Sequence, residues 1–199
     1  MNSNLLHVFQ EKIHSFFKSK RINHELISDS ALDTLKILKK NNFDAFIVGG
    51  AIRDILMDYK PKDFDIATNA TPEQVRSIFK KSRIIGRRFK LVHVIYGREI
   101  IEVSTFRAKP RQKIQMSNGV LKDNEYGSIK EDAERRDFTI NALYYDVEDK
   151  NLIDFYGGLR DIQDNQLRLI GKPKLRYKED PIRILRAIRF SSKLKMEIH

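Results

Sequence analysis

Asp63 and Asp65 are two carboxylates two residues apart, and a glycine pair, Gly49-Gly50, lies shortly before them. In a segment of strand character a two-residue step sends both side chains to one face, about 7 Å apart along the backbone. Such a pair can converge on a hard cation. The glycines follow the apolar run Ala45 to Val48 and precede the helical pattern Ala51 to Asp58. A tight glycine turn entering a helix presents its first amides to a phosphate-sized anion, and Arg53 stands in that first turn. Glu102 interrupts the apolar segment Ile100 to Val103, so a neighbouring strand can bring a third carboxylate to the same place. An unpaired buried carboxylate is costly, and a metal or a basic partner relieves the cost. Two-metal chemistry on phosphates, with ions about 3.5–4 Å apart, needs several carboxylates in one space. These residues therefore predict metal-dependent chemistry on a nucleotide. A solvated Asp-X-Asp triplet is the plain alternative, and the glycine turn just upstream weighs against it.

Two further clusters carry chemistry. In Arg135-Arg136-Asp137-Phe-Thr-Ile-Asn141, spacing alone makes Asp137 a helix cap. A second reading places Asp137 and Asn141 four apart on one side of a helix, where they can hold ribose hydroxyls while Arg136 meets phosphate. In Glu179-Asp180-Pro-Ile-Arg183-Ile-Leu-Arg186-Ala-Ile-Arg189, three arginines recur at intervals of three. On a helix they form a stripe spread over roughly 120°, beside an apolar side made by Ile182, Leu185 and Ile188. Asp180 before Pro181 is a strong cap signal, and capping accounts for it fully; alternatively, Asp180 acceptors and Arg183 donors together match the edge of a nucleobase.

These groups need elements to position them. Ser28 to Lys40 is predicted as a capped amphipathic helix closed by Asn41-Asn42. Then come strand 45–48, helix 51–58, strand 63–67, helix 72–80 opened by Thr71-Pro72, and strands near 90–96 and 99–106. Only Gly97-Arg98 separates the last two, which predicts an antiparallel hairpin and excludes a purely parallel dinucleotide-binding sheet. Residues 107–129 lack periodicity and read as a long basic loop. Helices resume at about 130, a short strand lies near 152–155, and Gly157-Gly158 precedes another helical segment. Pro173 marks a boundary, and a helix runs from Asp180 to about Ser192. The expected fold is a mixed α/β domain over 28–172, with a basic leader at 1–27 and the start of a helical domain at 173–199.

The formal charge of +11 and the pI near 9.7 point to an anionic partner. The excess is clustered: Arg107 to Lys122 holds five basic and no acidic residues, and Arg168 to the end holds ten basic and three acidic. Nucleic acid suits such a surface better than a small acidic metabolite. With no cysteine, disulfides, thiolate catalysis and cysteine-bound zinc are excluded. The apolar runs are too short to span a membrane and the first residues do not form a secretory signal, so a cytoplasmic protein is expected.

Taken in order, Gly49-Gly50-X-X-Arg53-Asp54, Asp63-X-Asp65, Arg135-Arg136-Asp137-X-X-X-Asn141 and Glu179-Asp180-X-X-Arg183-X-X-Arg186 resemble the signatures of the class II nucleotidyltransferases. That family contains bacterial poly(A) polymerases and the enzymes that add CCA to transfer RNA. The text between the motifs is more similar to the poly(A) polymerases, as in Gly86-Arg-Arg-Phe-Lys-Leu-Val-His93. The resemblance implies a nucleotidyltransferase head domain, with Mg²⁺ held by Asp63 and Asp65 and with Gly50 and Arg53 at the triphosphate. It also implies that Asp137 joins the catalytic acids beside Arg136, and that Asp180, Arg183, Arg186 and Arg189 contact the incoming nucleotide from a helical neck. The expected reaction is addition of AMP from ATP to an RNA 3′ end. CCA addition is the alternative within the family, and a non-catalytic basic RNA-binding module is the alternative outside it.

Overall fold

The computed structural model describes residues 22–87, 89–108 and 126–199, together with the backbone of 116–117 and 120–121. Helix α1 (Asp29–Lys40) starts where the Ser28 hydroxyl accepts the Ala31 N–H at 3.2 Å, and it turns Leu35 and Leu38 into the core. It stops at Asn41, and Asn42 takes a left-handed φ of 62°. Strand β1 (Ala45–Val48) then runs into helix α2 (Gly50–Leu56), and β2 (Asp65–Thr68) follows. Helix α3 (Pro72–Ile78) opens on a capping box in which Thr71 and Gln74 satisfy each other's backbone amides. Strands β3 (Ser82–Ile85), β4 (Leu91–Tyr96) and β5 (Glu99–Thr105) form a meander, with Gly97 supplying the positive φ of the predicted β4–β5 hairpin.

Past the short backbone pair β6 (Met116–Ser117) and β7 (Val120–Leu121), helix α4 (Ile129–Arg135) leads to β8 (Leu143–Asp146) and β9 (Asn151–Asp154). The main sheet has the order β3-β4-β5-β2-β1-β8-β9, with β2 and β5 parallel and the remaining neighbours antiparallel. The fold is therefore the mixed α/β sheet that the sequence predicts. One apolar core, containing Leu38, Ile47, Ile52 and Ile101, joins the sheet to α1, α2 and α3. A second, built on Val48, Ala67, Ala133 and Tyr144, lies beneath α4 on the opposite face.

Helix α5 (Gly158–Gln163), strand β10 (Gln166–Leu167), helices α6 (Pro173–Glu179) and α7 (Ile182–Leu194) and strand β11 (Glu197–Ile198) complete the chain. Ala187, Leu194 and Met196 share a third core with Phe138, Ile140 and Leu167, and β11 pairs in parallel with β10. The last residues are thus fastened to the segment that follows Arg135-Arg136-Asp137.

Several boundaries differ from expectation. Strand β2 begins at Asp65, so Asp63 lies in the turn ahead of it and its direction is not set by the pleat. No helix runs through Asp137 to Asn141: α4 ends at Arg135, Arg136 is extended at ψ 165°, and a single 3₁₀ turn covers Thr139–Asn141. Extended backbone there lets Phe138 and Ile140 reach the third core, whose burial outweighs the local helical spacing. Strands β3 and β8 were not expected; all four β8 residues are buried, so it carries no alternation to read. Ile22 and Ile27 already belong to the main core, which begins ahead of residue 28. The expected basic loop lies outside the described residues from 109 to 125, apart from the β6 and β7 backbone.

Candidate active site

Sheet register assembles the acids. Asp65 opens β2 directly beside Glu102 on parallel β5 and beside Val48 on β1, while Glu102 faces His93 across the β4–β5 pair. Neighbouring strands are about 4.8 Å apart, so the Asp65 and Glu102 side chains leave one face next to each other. Glu102 is half exposed, and its Oε1 lies 3.4 Å from His93 Nε2. Burial pushes the Asp65 carboxyl up to about 6; the Glu102 and Asp63 charges add to this and Arg136 opposes it. Among the described residues no three acidic or histidine side chains form a ready-made metal cage. The oxygen donors at this spot nonetheless fit a hard cation, because a cation relieves the crowding that raises Asp65.

Gly49 adopts φ 76° and ψ −131°, a conformation that an L side chain rarely takes. A Cβ placed there would lie 3.6 Å from Arg136 Nη1 and 3.8 Å from Asp65 Oδ2, so the turn forms one wall of the acid site. Arg53 is buried, and its donors are engaged: Nε and Nη2 reach Asp54 Oδ1 at 2.9 and 2.6 Å, and Nη1 reaches Asn141 Oδ1 at 2.6 Å. Its guanidinium also stacks 5.2 Å from the Phe190 ring centroid. Asn141 in turn donates to Asp137 Oδ1 at 3.2 Å, and Arg186 Nε and Nη2 meet Asp137 Oδ2 at 2.7 and 2.6 Å. One chain of contacts thus joins the glycine-turn helix, the Asp137 segment and α7.

Arg136 is aimed from behind. Its Nε and Nη2 lie 3.2 and 3.1 Å from Asp132 Oδ2, which also accepts the Tyr144 hydroxyl at 2.7 Å. Asp132 Oδ1 accepts Arg135 Nε at 3.2 Å and the Arg107 backbone N–H at 3.3 Å. Burial alone would raise the Asp132 carboxyl, but the Arg136 charge, the Tyr144 hydroxyl and Arg135 hold it below the ordinary range. Asp132 was not singled out in the sequence, although its spacing of three and four from Arg135 and Arg136 on α4 was available as a signal.

On the far side, Arg176 Nη2 donates to the carbonyls of Arg135 and Arg136 at 2.7 and 2.6 Å, and its Nε donates to Ile170 at 3.1 Å. Glu179 Oε2 bridges Arg176 Nη1 at 2.6 Å and Arg183 Nη1 at 3.0 Å. Asp180 accepts the Ile182 N–H at 3.1 Å, as a cap does, and stands 3.9 Å from Arg183 Nε. Arg189 is exposed, as are Ile182, Leu185 and Ile188 of the predicted apolar side. The structure therefore joins Gly49, Asp65, Glu102 and Arg136 around one cleft, and joins Arg53, Asn141, Asp137 and Arg186 in a second, contiguous group. Arg136 Nη1 links the two groups by donating to the Asn141 carbonyl at 3.4 Å, and Tyr144 and Arg176, absent from the sequence reading, brace Arg136 through its side chain and its carbonyl.

A mixed sheet carrying a glycine turn and two neighbouring strand acids, Asp65 at the start of β2 and Glu102 midway along β5, is the frame of a nucleotidyltransferase head. Residues 45–168 match the poly(A) polymerase head domain family, and the chain belongs to that family. It is 51% identical over 185 residues to poly(A) polymerase I of Escherichia coli O6:H1, a match covering 89% of this chain and 40% of that protein. It is 43% identical over 169 residues to the CCA-adding enzyme of Bacillus licheniformis, covering 84% of this chain and 42% of that one. Among solved structures, the Bacillus stearothermophilus CCA-adding enzyme in complex with CTP superposes with a TM-score of 0.74 at 36% identity, over 85% of this chain and 40% of the other. A tRNA nucleotidyltransferase complexed with a primer tRNA and an incoming ATP analog superposes with a TM-score of 0.65 at 32% identity, over 83% and 46%. The chain spans about 40% of the length of the curated relatives it matches.

Proposed function

We propose that this protein adds AMP from ATP to RNA 3′ ends without a template. The observation that carries this reading is the register of Asp65 beside Glu102, one strand from the Gly49 turn and Arg136. Identity of 51% to a poly(A) polymerase I against 43% to a CCA-adding enzyme favours adenylate addition. Asp63 and Asp65 would hold Mg²⁺, with Glu102 as the nearby third acid. A cation held there would lower the pKa of an attacking RNA hydroxyl and shield charge developing at the α-phosphate. Gly49, Gly50 and Arg136 bind the phosphates, and Arg53 keeps the turn in place through Asp54 and Asn141. Asp137 and Asn141 face the ribose side, with Arg186 neutralising Asp137. Asp180 and Arg183 present acceptors and donors to the base, Arg189 adds positive charge on α7, and pyrophosphate departs along the glycine turn.

CCA addition is the second reading, favoured by the solved relatives bound to CTP and to primer tRNA. The test incubates the full-length protein with a short RNA or a transfer RNA, Mg²⁺ and each nucleotide separately. Long extension with ATP alone is the expected result. Extension limited to C and A on transfer RNA ends selects the second reading, and activity that survives Asp63→Ala with Asp65→Ala sinks both.

A further inference from the structure

Transfer of a phosphoryl centre places the attacking and leaving oxygens roughly in line, on opposite sides of the phosphorus. If the triphosphate lies along the Gly49 turn, on the β1 side of Asp65, the attacking hydroxyl arrives from the β5 side. The acid cleft, about 190 Å³ with Asp65 and Arg136 in its lining, extends to that side, where Glu102, Ser104 and Leu91 of the sheet, Arg135 of α4 and Arg107 wall it. The register explains its shape, because Glu102 pairs with His93 and Leu91 therefore falls opposite Ser104 on the same face. At this wall the Arg107 guanidinium lies 4.8 Å from the centroid of the Phe89 ring, which is 38% exposed.

We propose that this cleft is the seat of the terminal nucleotide of the RNA acceptor, with its base against the Phe89 and Arg107 platform and its backbone phosphate at Arg135. This rests on the nucleotidyl transfer proposed above and adds where the acceptor sits. An aromatic ring beside an arginine plane takes any nucleobase by stacking and needs no sequence code, which suits an acceptor whose last base changes little in shape as the chain grows. Arg135 uses Nε on Asp132, and its terminal nitrogens have no partner among the described residues, so they are available to a phosphodiester. Asp132 sets the spacing: one buried carboxylate oxygen holds both Arg135 Nε and the backbone N–H of Arg107, so platform and phosphate arm move together.

The experiment compares steady-state kinetics of the full-length wild type, Phe89→Leu, Phe89→Tyr and Arg107→Gln, varying RNA at saturating ATP and ATP at saturating RNA. Each is run on an RNA with a normal 3′-terminal nucleotide and on one whose terminal nucleotide is abasic. Stacking of about 1–3 kcal/mol per base makes about a tenfold rise in KM for RNA the expected result in Phe89→Leu, with KM for ATP unchanged and Phe89→Tyr close to wild type. The abasic RNA should lose the same factor with the wild type and nothing more with Phe89→Leu. A rise in KM for ATP instead of RNA, or an abasic penalty that persists undiminished in Phe89→Leu, overturns the assignment. Wild type that extends no RNA at all defeats the proposed activity, a result distinct from an active wild type whose acceptor KM ignores Phe89.

Discussion

Two aspartates share one cleft and are shifted in opposite directions. Asp65 is raised to about 6 because burial removes its water and the Glu102 and Asp63 charges repel it. Asp132, still more deeply buried, is held low by Arg136, Tyr144 and Arg135. Depth alone therefore does not decide the charge state; the partners decide whether the effect of burial stands or is outweighed. On the α4 side the buried carboxylate is fully compensated by Arg135, Arg136 and Tyr144, whereas the sheet side carries negative charge that the fold leaves for a ligand to complete.

The largest expected effect comes from the unfinished side. Asp65→Asn in the full-length protein should lower nucleotide addition about a hundredfold to a thousandfold, the scale on which single preorganised electrostatic groups act, while leaving far-UV circular dichroism unchanged. The same substitution should stabilise the metal-free protein at neutral pH. The sign follows from linkage: a folded carboxyl at about 6 against an ordinary 3.8 binds its proton more tightly folded than unfolded, so stability falls as pH rises from about 4 to about 6. On the order of 2 kcal/mol should be regained in Asp65→Asn above pH 6, seen as a higher urea midpoint. A lower midpoint would erase the contrast between the two aspartates.

The compensated side breaks differently. Asp132→Ala strands Arg136 and the Tyr144 hydroxyl, and removing one partner of a buried pair costs about 3–5 kcal/mol, so chemical denaturation should show loss of stability before any question of catalysis arises. Its pH dependence runs opposite to that of Asp65: a depressed carboxyl contributes stability above the ordinary aspartate range and loses it as pH falls through its folded value. A smaller effect, about 1–2 kcal/mol, is expected for Arg176→Lys, because one ammonium cannot replace a fork that reaches three carbonyls and Glu179. Since Glu179 also holds Arg183, KM for the nucleotide should rise more than kcat falls.

Local chemistry made much of this legible. Gly49-Gly50, the Gly97-Arg98 hairpin and the Ser28 and Thr71 caps each have a backbone requirement that their residue types announce. Asp180-Pro181 likewise announced the start of α7. Long-range compensation was not legible. The link from Arg53 to Asn141 spans two elements brought together only by the sheet, and it turns an expected phosphate arm into a buried brace. The helix expected through Asp137 lost to burial of Phe138 and Ile140, an energy that no window of sequence displays. Asp63 left the strand because β2 begins only at Asp65, whose Cα lies beside that of Glu102.

The contrast is tested most directly by titrating Mn²⁺, as a spectroscopic stand-in for Mg²⁺, into the metal-free protein with a non-hydrolysable ATP analogue at pH values on either side of 6. The account predicts binding that tightens as pH rises through about 6, while Asp65 loses its proton, and that is lost in Asp65→Asn but kept in Arg176→Lys. Binding that is flat with pH and equal in Asp65→Asn would contradict it.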